Sequence, residues 1–168
     1  MASRIAERAR SGAALRGYAV FGFALLLLFV ADGSRQPTSG EGWRILGYQR
    51  GVAGPTDIVR IDTQAELDRV WDRARIRSAP ARLTADTTTF WVTATGSIGC
   101  PAHFAGLRRD AASIIAVFTS ALTVGCDTLK VPDSFLLAVD NDRLPAGPFR
   151  FVRVGPAGQP DAAMEVTP

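Results

Sequence analysis

Thr63-Gln-Ala-Glu-Leu-Asp-Arg-Val-Trp-Asp-Arg-Ala74 is the stretch on which the fold class turns. Thr63 and Glu66 make a capping box, in which the threonine hydroxyl accepts from the third helical N–H and the glutamate reaches back to the cap. Behind it Leu67, Val70, Trp71 and Ala74 recur at i, i+3, i+4 and i+7 and so share one helical face. Asp68, Arg69, Asp72 and Arg73 take the other face. Pro80 stops the segment, because the residue before a proline is driven out of the helical region. The spacing predicts one amphipathic helix of about 12–14 residues. Its single apolar stripe has to be covered by neighbouring segments.

Those neighbours read as strands. Residues 87–95, Thr-Thr-Thr-Phe-Trp-Val-Thr-Ala-Thr, are dense in β-branched and aromatic side chains. Residues 43–48, 57–61, 113–119, 134–139 and 149–154 carry similar composition, and 104–108 adds a short candidate. Turn formers separate them: Arg109-Asp110, Asp140-Asn-Asp142 and Pro145-Ala-Gly-Pro148. The expected fold is α+β, with the helix packed on a mainly antiparallel sheet of about six short strands over residues 43–154. Residues 34–42 read as a polar Gly/Pro/Ser linker, and residues 155–168 as a flexible Gly/Pro/Ala tail.

Charge explains what precedes the domain. Residues 1–16 hold four arginines and one glutamate out of 19 basic and 16 acidic side chains, which leaves 15 of each beyond them. The whole net charge of +3 therefore sits ahead of the uncharged run Gly17-Tyr-Ala-Val-Phe-Gly-Phe-Ala-Leu-Leu-Leu-Leu-Phe-Val-Ala31. A basic n-region before an apolar stretch is the pattern of an export signal, arginines staying on the cytoplasmic side. Two fates are open for residues 1–33. Ala31 and Gly33 are small residues at the positions a signal peptidase reads, so cleavage before Ser34 is one. Retention as a membrane anchor is the other, although fifteen helical residues rise only about 22 Å against a hydrocarbon core of roughly 30 Å. Either way the domain is expected outside the cytoplasm, secreted or tethered. Arginine outnumbers lysine 18 to 1, but beyond residue 16 it is interspersed with acids and no basic cluster alternates with aromatics. Nucleic acid is not an expected partner.

Few side chains offer chemistry. Cys100 and Cys126 are the only cysteines, and in an exported domain two cysteines are expected to form a disulfide. It would close a loop of about 26 residues, worth roughly 3.5 kcal/mol on the chain-entropy estimate. The alternative gathers Cys100, His103, Cys126 and Asp127 as a metal site or a thiol enzyme, with the C-x2-H spacing of a zinc knuckle. Asp140 and Asp142 resemble a turn more than a calcium loop, whose glycine and further oxygen ligands are missing. Gly-x-Ser-x-Gly, phosphate-loop, dinucleotide and His-Glu-x-x-His patterns are absent, and a single histidine could activate few of the hydroxyls. No catalytic residue, metal ligand or cofactor is expected on the leading reading.

Ile61-Asp-Thr-Gln-Ala-Glu-Leu-Asp-Arg-Val-Trp71 resembles the opening of small exported bacterial domains related to the C-terminal domain of the protease-complex accessory protein PrcB. Gly-Cys-Pro101, Ala-Gly-Leu107 and Ser-Phe-Leu-Leu-Ala-Val139 with Leu-Pro145 are similar to a Cys-containing actinobacterial branch of such proteins. The resemblance spans residues 57–154. It implies a small α+β binding module without a cofactor and assigns no functional residue. The expected role is binding of another protein or an envelope component, with Phe104 and Leu129 in the cysteine-bounded loops as the candidate binding surface.

Overall fold

The structure is a computed structural model that describes residues 36–120, 126 and 128–167. Among them the chain forms β1 (Ser39–Gly40), β2 (Trp43–Arg50), β3 (Val59–Ile61), α1 (Gln64–Arg73), β4 (Thr87–Ser97), β5 (Ala102–Asp110), β6 (Ser113–Ser120), β7 (Lys130–Asp140), β8 (Phe149–Val154) and β9 (Pro160–Val166). The mainly β, one-helix composition and the prevalence of antiparallel pairing are as expected. The single sheet is not: the strands divide into sheet A, ordered β1-β2-β7-β4-β3, and sheet B, ordered β5-β6-β8-β9. Every pairing is antiparallel except β6 with β8.

Alternation along β7 and β4 explains the layers. Side chains on a strand point to opposite faces in turn. Phe135, Leu137 and Val139 of β7, with Phe90, Val92 and Ala94 of β4, face sheet B and enter the larger core. Leu136 and Trp91, one residue out of phase, face the other way and meet Leu67, Trp71 and Ala74 of the helix. Sheet A is thus a middle layer, buried on both sides between α1 and sheet B.

Sheet B lies over sheet A strand for strand, and aromatic pairs mark the facing strands. Trp43 of β2 meets Phe104 of β5 edge-on at 4.6 Å between ring centroids. Phe135 of β7 meets Phe118 of β6 at 5.0 Å, and Phe90 of β4 stacks on Phe151 of β8 at 4.1 Å. Such pairs add about 0.5–1.5 kcal/mol each beyond the area they bury. At the far side Arg60 of β3 donates to the Thr167 carbonyl just beyond β9 at 2.8 Å.

Local sequence accounts for the boundaries. The capping box forms: Glu66 N–H donates to the Thr63 hydroxyl at 3.2 Å, and the Thr63 N–H donates back to Glu66 Oε2 at 3.2 Å. The helix is ten residues long, shorter than the spacing predicts, because Arg75 takes a left-handed φ of 54° and turns the chain well ahead of Pro80. β5 is longer than the 104–108 candidate because a bulge between Phe104 and Gly106 breaks the alternation that would have revealed it. Pro160–Val166, read from composition as part of a flexible tail, is an antiparallel partner of β8, turning inward through Ala162, Met164 and Val166. The described part of the 34–42 linker also carries structure: Ser39–Gly40 pairs with β2, and Ile45 N–H donates to the Thr38 carbonyl at 2.7 Å. The N-terminal signal or anchor segment, residues 1–33, lies outside the described residues. Among those described, no helix is long and apolar enough to cross a membrane.

Core substitution should separate these layers from the surface. Phe135→Ala is expected to lower unfolding free energy by about 3–5 kcal/mol in a denaturant titration, since a fully buried phenylalanine leaves a cavity. Arg69→Ala, on the solvent face of the helix, should change it by less than about 0.5 kcal/mol.

Candidate functional site

Two chain crossings between the sheets meet at one end of the sandwich. The turn from β4 to β5 leads from sheet A to sheet B, and the connection from β6 to β7 leads back. Within the first, Ser97 and Cys100 exchange backbone hydrogen bonds at 2.8 and 3.1 Å, a tight reversal that buries the Cys100 side chain. Cys126, exposed in the second, is bonded to Cys100 in a disulfide with the Cα atoms 5.4 Å apart. The bridge therefore ties the two crossings together. Arg50, at the end of β2, donates to the carbonyls of Ser97 and Ile98 and holds the same turn from the sheet A side.

Asp133 braces this end from inside. It points from β7 into the space between the sheets, is fully buried, and through Oδ2 accepts the Ala102 N–H at 2.9 Å, the first donor of β5. Tyr48 and Arg50 of β2 flank the carboxylate electrostatically, while Oδ1 has no donor at hydrogen-bond geometry among the described residues. Burial raises the Asp133 pKa above the ordinary aspartate range, against the lowering pull of the Ala102 N–H and Arg50. Burial, and then the Asp133 charge, push the Tyr48 hydroxyl up to about 12. A buried carboxyl spanning two sheets in this way positions backbone. It has no open face towards a substrate.

The sequence-derived candidates land in different places. Cys100 and Cys126 are the expected disulfide, and joined sulfurs supply no thiolate for a metal or a nucleophile. His103 lies on β5 between Ala102 and Phe104, both buried inward, so alternation turns it to the outer face of sheet B. Asp127 lies outside the described residues. Among those described, no three His, Cys, Asp or Glu side chains gather as metal ligands. Leu129 is exposed at 59% and Ile98 nearby at 50%. Phe104 corrects the expectation of a surface contact: it is 0% exposed, packed between Trp43 and Phe118. Its period-2 relation to Cys100 and Ala102, both buried, places it in the core, a pattern hidden by the bulge that follows.

A second feature escaped the sequence reading. At the side of the sandwich where β2 faces β5, an open cleft of about 680 Å³ runs between residues 40–43 and residues 105–109. Arg108 and Arg109 line the β5 wall, and Arg143, bonded to Glu41, lines the other with Asp142. The Trp43 ring closes the base at 9% exposure. Its Nε1 lies between Gly40 and Gly106: a Cβ on the first would come within 2.6 Å of it and on the second within 3.8 Å. The indole therefore packs directly on the Gly40 backbone, where any side chain would collide with it, and Gly106 takes a φ of 140° that other residues rarely adopt. The signal lay in Gly40-Glu-Gly-Trp43 and Gly106-Leu-Arg-Arg109, two short strings far apart in sequence that only the sheet pairing brings face to face. Comparisons with protein-family models, curated proteins and solved structures return no match.

The Asp133 brace has a pH signature. A carboxyl whose folded pKa is raised holds its proton more tightly folded than unfolded, so its contribution to stability falls as pH rises from the ordinary aspartate value through the raised one. Asp133→Asn keeps an acceptor for Ala102 N–H without the charge. It is expected to fold and to lose that part of the pH dependence in chemical unfolding at pH 4–8, taken as about the window of interest. Asp133→Ala should cost about 1–3 kcal/mol by leaving a buried donor unpaired. Equal pH profiles for the parent and the asparagine variant would exclude the raised carboxyl pKa.

Proposed function

We propose that this chain is an exported, non-catalytic binding domain, released after cleavage or tethered through residues 17–31, that recognises another protein or an envelope component. The observation that carries the reading is the Cys100–Cys126 disulfide, which links both crossings between the sheets. Disulfides persist in oxidising compartments and are rare where thiols are kept reduced. The Arg-rich start and uncharged run of residues 1–31 supply the matching address. The resemblance of Ile61–Trp71 to small exported binding modules points the same way. Asp133, Arg50 and Arg153 serve as braces, each bonded to backbone of another segment, with Arg153 also paired to Asp161. A thiol or metal enzyme built on Cys100, His103, Cys126 and Asp127 would need the bridge reduced.

Protein taken from its native compartment is expected to show no alkylatable thiol until a reductant is added, by intact mass after iodoacetamide. Two free thiols in the freshly isolated chain would sink the exported reading. Reduction should lower unfolding free energy by about 3.5 kcal/mol if the bridge acts by restricting the unfolded chain.

A further inference from the structure

The Cys100–Cys126 bridge has two unlike ends, and the inference drawn from it rests on the reading of the domain as exported. Cys100 is 2% exposed, whereas Cys126 is an exposed residue. Both line an open groove of about 510 Å³, together with Ser120, Thr128 and the turn from β8 to β9. A bridge whose sulfurs both lie in the core is out of reach of an attacking thiolate, whereas exposed bridges are the labile or regulatory ones. This bridge can be reached from the Cys126 end.

The turn that carries Cys100 also has ties that do not depend on sulfur. Ser97 and Cys100 exchange backbone hydrogen bonds at 2.8 and 3.1 Å, and Arg50 donates to the Ser97 carbonyl at 3.0 Å. Two residues on, the Ala102 N–H donates to Asp133 at 2.9 Å, and Ala102 and Phe104 enter the core. Cys126 lies in the connection between β6 and β7, outside both sheets. Opening the bridge therefore leaves Cys100 buried in its turn and puts a thiol on the surface at Cys126. The same turn keeps the buried thiol in place for closure, the two Cα atoms standing 5.4 Å apart in the bridged chain.

We propose that the bridge is a directional thiol–disulfide exchange site, at which an external dithiol or disulfide reacts with Cys126 and Cys100 completes the exchange from the buried side. In reduction, one thiolate of the dithiol attacks Cys126 Sγ. A bond forms between that sulfur and Cys126, the Cys100–Cys126 bond breaks, and its electron pair goes to Cys100 Sγ, which takes up a proton. The second thiolate of the dithiol then attacks its own partner sulfur and expels Cys126, which is protonated in turn. The bridge gains two electrons and two protons, and the dithiol gives up both in closing its own disulfide. Closure runs the same steps backwards: the Cys126 thiolate attacks the external disulfide, and the Cys100 thiolate attacks Cys126 to expel the donor. The opposite order requires the reagent to reach a residue that the core covers.

The test uses the full chain in detergent. Reduction of the oxidised chain by dithiothreitol in native buffer should rise linearly with reagent and outpace global unfolding. The reduced chain, checked for native tryptophan fluorescence, is then treated briefly with glutathione disulfide, quenched with acid and mapped by peptide mass. Glutathione should sit on Cys126, with Cys100 still a thiol. Folded Cys100→Ser should hold glutathione stably at Cys126, whereas folded Cys126→Ser should take it up at least about tenfold more slowly, through local opening of the turn. The dithiothreitol rate starts from the oxidised parent, so it decides the matter even where a reduced or substituted chain fails to fold. Three results would overturn the proposal: reduction that levels off at the global unfolding rate, glutathione on Cys100 at least as often as on Cys126, or equal rates in the two folded variants. Alkylation of protein from its native compartment reports on export alone, so exchange at Cys126 can fail while the exported reading stands.

Discussion

Burial of one sheet on both of its faces is the constraint on which the other features depend. β7 and β4 place Phe135, Leu137, Val139, Phe90 and Val92 against sheet B and Leu136 and Trp91 against the helix. At roughly 1.5–3 kcal/mol for each large side chain taken from water, these two strands carry much of the favourable side of folding. The double burial also dictates how the remaining strands are arranged. A sheet with two apolar faces needs a cover on each, and a single ten-residue helix covers only one. Sheet B exists to cover the other. Its inward aromatics, Phe104, Phe118 and Phe151, answer Trp43, Phe135 and Phe90 in the same left-to-right order.

Polar side chains adjust this arrangement where the two sheets must be joined. Asp133 reaches from the central strand of sheet A to the first N–H of β5, and Arg153 reaches back from β8 to the Thr93 carbonyl of β4 while paired with Asp161. Each costs desolvation that the hydrogen bonds only partly offset, so neither is a source of stability by itself. Their effect is on register: a slip of either sheet would strand a buried charge. The disulfide acts on the same junction from outside, fixing the two crossings that carry the chain from one sheet to the other. Along the outer edge of β5 the tie among the described residues is lighter, the Gln36 side-chain amide donating to the Phe104 carbonyl at 3.3 Å.

The local elements were legible because local physics determines them. The capping box and i, i+3, i+4, i+7 stripe located the helix, and residues 149–154 were read to their exact ends as β8. What eluded the sequence is non-local. Period-2 alternation says that a strand has an inward face but not which sheet it joins, so nothing local marks the short turn after Ser97 as a crossing between sheets. β7 shows no alternation because both faces are buried, and β5 conceals its own behind a bulge. Phe104, assigned to the surface with the cysteine-bounded loops, belongs instead to the inward face of β5. Composition misled at residues 160–166, where the Ala162, Met164 and Val166 alternation outweighs the Gly/Pro content of the preceding turn. The disulfide was legible from cysteine count alone, whereas the cleft depends on residues more than sixty positions apart.

If double burial of sheet A organises the molecule, its centre should be the last part to open. Native-state hydrogen exchange measures this residue by residue, since amides protected by the whole fold exchange only through global unfolding. The backbone amides of residues 134–139 in β7 and of residues 89–93 in β4 should exchange with the global unfolding free energy and with its denaturant slope. Amides of residues 105–109, on the open edge, should exchange through smaller local openings. Exchange of the β7 amides at edge-strand rates, well above the global limit, would contradict the account.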